Sequence, residues 1–283
     1  MAELRALLEG LTFGESPRWH EDRLWFCDWG AHRLMTVDLD GRAETIAEVH
    51  SFPFCIDWLP DGRLLIVSAA DRALLTLEDD GELAVHADLS GLSANPPNNE
   101  IVVDGRGNAY VDGGGFDMAA GEPFAPGTIA LVTPAGDVRE VADDIHFGNG
   151  MAVTPDNATL IVAESYGRRL TAFTIAADGG LSDRRVWADL GDGVPDGICL
   201  DAEGAVWCAD VPNRRCVRVA QGGEIRQIVQ ADRGCFACML GGPEMRTLFV
   251  IAREWHGAQA MTAGDGTGQV LVTEAPVPKA GWP

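Results

Sequence analysis

Three features of this sequence predict an all-β fold, a six-bladed β-propeller. One phrase returns six times, each phrase is built of short strand-like runs between turn residues, and helical periodicity is absent. The repeats start roughly 40 to 50 residues apart, long enough for about four short strands each, which is the size of a propeller blade.

The blades are read in order. The first runs SPRWHEDRLWFCDWGAHRLMTVDLDG from Ser16, and the second CIDWLPDGRLLIVSAADRALLTLEDDG from Cys55. The third begins EIVVDGRGNAYVDGGG at Glu100 and resumes, after an insertion, as GTIALVTPAG. The fourth, GMAVTPDNATLIVAESYGRRLTAFTIAADG, starts at Gly150, and the fifth, GICLDAEGAVWCADVPNRRCVRVAQGG, at Gly197. The sixth, FACMLGGPEMRTLFVIAREW, starts at Phe236 and ends with GQVLVTEAP. Runs such as LLIVS, LIVAE and LFVIA are rich in β-branched or aromatic residues and bounded by Gly, Asp and Asn, so they read as strands joined by hairpins. Residues 7–13 are expected to supply an outer strand to the last blade, closing the ring without an exposed edge. Residues 1–283 are read as one domain. Insertions at 113–127, containing Phe116, and at 254–268, containing Trp255 and His256, are placed where loops cover a channel mouth.

With 43 acidic against 21 basic residues the chain carries a formal net charge of −22, which argues against nucleic acid or an anionic membrane surface as partner and leaves a small molecule. The opening MAELRALLEG lacks the apolar core of a signal peptide, and no apolar run is long enough to span a bilayer. The seven cysteines are odd in number and sit mostly in apolar strand patterns, as suits reduced core thiols in a cytoplasmic protein. Cys235 and Cys238 form a C-x-x-C that no second pair accompanies.

Aligning the repeats on their first turn (Arg23, Gly62, Gly107, Asn157, Gly204) identifies the residue eight positions earlier in each blade. These are Glu15, Phe54, Asn99, Asn149 and Asp196, and Phe236 takes the position in the irregular sixth repeat. Equivalent positions converge on a propeller axis. Four of the six carry side-chain oxygens, which are costly to group inside a channel unless a cation satisfies them. Two carboxylates and two amides suit a hard divalent ion. Calcium is the first choice; magnesium, manganese, zinc and iron(II) are the other candidates, although no thiolate or imidazole in the ring favours zinc.

The motifs G-E-S-P-R-W at 14–19, N-E-I-V-V-D at 99–104, N-G-M-A-V-T-P-D at 149–156, P-D-G-I-C-L-D at 195–201 and L-G-G-P at 240–243 resemble those of the SMP-30/gluconolactonase/LRE-like family of six-bladed propeller lactonases. The resemblance spans almost the whole chain. It implies an ion held by Glu15, Asn149 and Asp196, with Asn99 near the substrate. Two positions depart from the family pattern: Pro97 stands where sugar-lactone members often have an arginine, and Glu100 replaces the commoner aspartate.

The activity expected from the ring and the resemblance together is metal-assisted hydrolysis of a small lactone. Asp196 and Asn99 are the catalytic residues, Asp196 moving the proton and Asn99 orienting substrate or water. Phe54, Phe236, Glu100, Phe116 and His146 are expected substrate contacts, and the apolar Phe54 and Phe236, with Phe52, Trp29 and Trp58 nearby in sequence, point to a ring less hydroxylated than gluconolactone. Neither G-x-S-x-G nor H-E-x-x-H occurs. The alternatives at this point are another metal-dependent reaction, phosphotriester hydrolysis or a carbon–carbon lyase reaction, and a non-catalytic ligand-binding propeller.

Overall fold

In a computed structural model, which describes residues 4–78, 80–92, 98–118, 120–257 and 266–283, the chain forms six antiparallel sheets arranged around an axis. Strand β1 (Arg5–Leu11) precedes the first sheet. Blade 1 then holds β2 (Gly14–His20), β3 (Arg23–Asp28), β4 (Arg33–Val37) and β5 (Ala43–Glu48), and blade 2 holds β6 (Phe54–Trp58), β7 (Leu64–Ser68), β8 (Ala73–Leu77) and β9 (Leu83–Asp88). Blade 3 comprises β10 (Asn98–Val103), β11 (Ala109–Gly113), β12 (Gly127–Val132) and β13 (Val138–Ile145). Blade 4 comprises β14 (Gly148–Val153), β15 (Thr159–Glu164), β16 (Arg169–Ile175) and β17 (Leu181–Asp189). Blade 5 is β18 (Pro195–Asp201), β19 (Val206–Asp210), β20 (Arg215–Val219) and β21 (Ile225–Gln230), and blade 6 is β22 (Gly234–Gly241), β23 (Thr247–Arg253) and β24 (Gly268–Glu274). A last short strand, β25 (Lys279–Ala280), follows.

Burial explains the graded composition across each blade. Inner strands such as β7 (LLIVS) and β19 (VWCAD) are buried throughout, because neighbouring blades pack on both their faces. The outermost β5 (AETIAE) and β21 (IRQIVQ) are largely exposed and carry charge or polar side chains. Apolar cores therefore lie between blades; Cys199, Trp207, Met239 and Phe249 share one of them.

The first strands β2, β6, β10, β14, β18 and β22 pack in sequence around the axis, and β22 returns to β2. Four of the turn residues used to align the repeats, Gly62, Gly107, Asn157 and Gly204, have positive φ, so a shared backbone requirement underlies the shared spacing. Blade 6 is completed by β1, which pairs with β24 from Arg5↔Val272 to Leu11↔Gly268. The closing strand thus begins before residue 7, and Phe13 lies outside it. The chain's other end crosses the axis. β25 pairs with the innermost strand of blade 5 (Leu200↔Ala280), and Trp282 exchanges backbone hydrogen bonds with Val153 of blade 4. Val153 and Leu200 are at the C-terminal ends of their strands, so this tail covers the end of the channel opposite the ring of oxygen-bearing residues. Among the described residues no helix is long and apolar enough to cross a membrane.

Candidate functional site

Glu15, Asn99, Asn149 and Asp196 each stand second in the first strand of their blade. At this point the pairing with the next strand is interrupted by a register shift: between Glu15 and Arg18, Asn98 and Ile101, Gly148 and Met151, and Pro195 and Ile198. A bulge re-aims a side chain, and here it releases one residue per blade from the sheet's alternation. The glycines that follow allow adjacent first strands to approach. A Cβ on Gly150 would stand 2.4 Å from the Ile198 nitrogen, and one on Gly197 would stand 2.6 Å from the Ala237 Cβ. The N-G and D-G pairs are therefore set by packing at the axis as much as by local turn preference.

Carboxylates at or near the ends of the second strands hold the leading segments in place. Asp28 accepts the backbone N–H groups of Thr12 and Phe13, Asp112 those of Asn99 and Glu100, Glu164 that of His146 and Asp210 that of Val194. These anchors were missed in the sequence, although the acid ending each FCD, YVD, VAE and CAD run was visible once the repeats were aligned. Ser16 and Ser165 also serve the backbone: the Ser16 hydroxyl accepts the Ile56 N–H, and the Ser165 hydroxyl donates to the Pro195 carbonyl at 2.6 Å.

All four oxygen-bearing residues line one cavity of about 510 Å³, together with Phe236 and Phe116. Two further tiers of the same repeat complete it. Positions two residues before the ring, in the segments that lead into the first strands, contribute Phe13, Phe52, Phe147 and Val194. Positions just after the second strands contribute Trp29, Ala69, Ser165, Tyr166, Val211 and Trp255. Shifting the repeat alignment by two residues is the signal that finds Phe13 and Phe147.

Three expected substrate contacts lie outside this lining. Phe54 is fully buried: blade 2 alone among the six lacks the bulge, Phe54 pairs in regular register with Ser68, and its side chain stays in the core between blades. Its place at the cavity is taken by Phe52 and Pro53. Glu100 lies beneath the ring, where its Oε1 accepts 3.0 Å from Arg18 Nη2 and 2.9 Å from the Ile101 N–H. His146 is on the outer rim, with its Nε2 3.2 Å from Asp144 Oδ1 and its ring against Phe124. From the second insertion Trp255 reaches the cavity and His256 pairs with Glu254; residues 258–265 lie outside the described residues, as does Pro97.

The floor is strongly acidic. Burial, then the charges of Asp196 and Glu100, raise the Glu15 carboxyl well above its ordinary value. Burial and Glu100 do the same to Asp196, against the opposing hydrogen bond from the Asn149 side chain. Arg18, in contact with Glu100 and 3.8 Å from Asp57, balances the charge below the ring. Nothing cationic balances it above, where the described lining contains no Lys, Arg or His. The buried Oδ1 of Asp196 has no hydrogen-bond partner. Among the described residues no three His, Cys, Asp or Glu side chains are grouped to hold a metal; the ring is a mixed set of two carboxylates and two amides. Its hard oxygens, surplus negative charge and orphaned carboxylate oxygen fit a divalent cation.

Residues 13–254 match the family profile described as SMP-30/Gluconolactonase/LRE-like region. The 6-deoxy-6-sulfogluconolactonase of Pseudomonas putida is 27% identical over 287 residues, covering 96% of this chain and 94% of that protein. The pentonolactonase XacC of Haloferax volcanii is 25% identical, covering 94% of this chain and 90% of its own length. The crystal structure of a calcium-binding protein, regucalcin, from Agrobacterium tumefaciens superposes with a TM-score of 0.81 at 25% identity, over 100% of this chain and 97% of that one.

Proposed function

We propose, from the premise that this chain belongs to the SMP-30/gluconolactonase/LRE-like family, that it is a metal-dependent hydrolase opening a small lactone less hydroxylated than gluconolactone. The observation that carries this reading is the Asp196 carboxylate, whose buried Oδ1 has no protein partner at the floor of a cavity shared with Glu15, Asn99 and Asn149. Relatives named as lactonases acting on sugar-derived rings support the reaction type, and a calcium-binding relative supports a divalent ion, with calcium as the first choice.

Glu15, Asn149 and Asp196 would hold the ion, which when bound supplies Lewis acidity at the ester carbonyl and stabilises the negative charge that develops there. Asp196 accepts the proton of the attacking water and returns it to the ring oxygen as the ester bond breaks. In the ion-free chain burial and the nearby Glu100 raise its carboxyl well above the ordinary value. Asn99, its backbone N–H held by Asp112, directs its amide to water or substrate. Glu100 and Arg18 form a buried pair below the ring that keeps the floor in shape. Seven buried, unpaired thiols fit a reducing compartment, and we place the protein in the cytoplasm.

A panel of lactones, aryl esters and organophosphates, followed by proton release with chelated protein re-supplied separately with calcium, manganese, zinc and iron(II), tests the reading. Lactone turnover that vanishes on chelation and returns with one ion is expected. Absence of lactone turnover with every ion would refute it.

A further inference from the structure

The walls above the acidic floor carry information about the substrate that the floor does not. On one side Trp29, Phe52, Phe13, Phe236 and Trp255 form a continuous aromatic surface, with ring centroids 5.1 Å apart for Phe13 and Trp29, 5.5 Å for Trp29 and Phe52 and 5.5 Å for Phe236 and Trp255. Phe13 is backed by Arg253, whose guanidinium carbon lies 4.5 Å from the ring centroid. On the other side Phe147 stacks on Tyr166 at 4.9 Å, and Phe116 leans on both. Tyr166 is 48% exposed and Phe124, beside it, 45%. Large aromatics left in solvent at a cavity mouth mark a surface that gains by being covered.

Three polar groups on these walls are already engaged. The Ser165 hydroxyl donates to the Pro195 carbonyl, the Trp29 indole N–H to the Phe54 carbonyl, and the Tyr166 hydroxyl lies 3.5 Å from Met118 Sδ. A polyhydroxylated ring entering this space exchanges water for aromatic carbon at hydroxyl after hydroxyl. An anionic substituent meets Glu15, Asp196 and Asp117 with no described cation in the lining. The cavity of about 510 Å³ falls within the range of small-molecule sites.

We propose that the cavity selects a lactone bearing an uncharged aryl or branched alkyl substituent, which lies between the Trp29–Phe52–Phe236 wall and the Phe116–Phe147–Tyr166 wall while the ring ester rests on the oxygen-bearing floor. The inference rests on the hydrolytic reading for the ring ester alone; the fit of the substituent stands on the walls. Tyr166 and Trp255 are the specificity-determining residues, since both reach the mouth from segments that follow second strands.

The test separates binding from turnover. With the calcium- or manganese-loaded protein, kcat/KM for a phenyl-substituted lactone is expected to exceed that for the unsubstituted ring on the order of 50-fold, and gluconolactone and a carboxylate-bearing lactone are expected below the unsubstituted ring. In parallel, a phenyl-substituted lactam, which the enzyme does not open, is titrated against tryptophan fluorescence, with the unsubstituted lactam as reference. Binding at least tenfold tighter than the reference is expected. Tyr166→Ser, at an exposed position that leaves the fold intact, is expected to cut both preferences about tenfold. Lactone turnover that is equal or faster for gluconolactone overturns the inference, and with it the less hydroxylated ring, while lactone hydrolysis itself stands. Phenyl-lactam preference without any lactone turnover upholds the cavity assignment and removes the hydrolytic reading. Equal binding of the two lactams overturns the inference whatever the rates.

Discussion

Asp196→Asn separates the catalytic cost of this carboxylate from its cost to the fold, because the two effects have opposite signs. The substitution keeps the shape of the side chain and removes a charge that burial and Glu100 disfavour, and that in turn disfavours ionisation of Glu15. Burying an ionised carboxylate beside Glu100 costs on the order of 1–3 kcal/mol, and the neutral amide escapes that cost although it keeps a polar atom at the Oδ1 position. Above the unfolded carboxyl pKa and in chelator, the Asn variant is therefore expected to be more stable by about that amount, a rise of roughly 2–6 °C in Tm for a chain of this length. The pH dependence has a definite direction. A carboxyl whose pKa is raised on folding binds a proton in the folded chain and not in the unfolded one between the two values. The wild-type protein in chelator thus holds its full stability below the unfolded pKa of about 4 and loses it as pH rises towards the raised folded value. The advantage of the variant grows over the same window. Loss of the proton-transferring group lowers kcat about 10²- to 10⁴-fold in the metal-loaded protein. Scanning calorimetry with and without calcium, together with proton-release kinetics on the same samples, reads both effects. An Asn variant with full activity, or one less stable than wild type in chelator, refutes the reasoning.

Three further outcomes are expected. Glu15→Gln weakens divalent-metal affinity about 10- to 100-fold in a calorimetric titration, with the circular dichroism spectrum unchanged; undiminished affinity would place the ion elsewhere. Arg18→Met strands Glu100 and Asp57 in the channel and destabilises by about 3–5 kcal/mol in urea denaturation, while adding Glu100→Gln recovers much of the loss. A double variant no better than Arg18→Met alone would show that the pair is not the cause. Deleting residues 1–12 removes β1 and leaves β24 as an unpaired edge, so Tm is expected to fall by several degrees and aggregation to increase; unchanged Tm and solubility would show that the ring closes without this strand.

Repetition made much of the site legible before any coordinates. A blade must present the same backbone to the axis as its neighbours, so one turn residue and one offset locate Glu15, Asn99, Asn149 and Asp196 together, although they lie up to 181 residues apart. The same offset moved two residues earlier, into the segments that lead into the strands, locates Phe13 and Phe147. It fails at Phe54, since equal spacing does not reveal that blade 2 lacks the bulge that turns a side chain inward.

The sequence by itself determined the number of blades, the strand-rich phrase of each, the family resemblance and the ring of oxygen-bearing residues, because all of these follow from local patterns that repeat along the chain. Only the tertiary structure decided which aromatics face the cavity, that Glu100 is held by Arg18, and that the C-terminal segment crosses the far end of the channel. Those outcomes depend on bulges, on burial and on pairings between segments distant in sequence, where the energy of a contact is set by what the other segment brings to it.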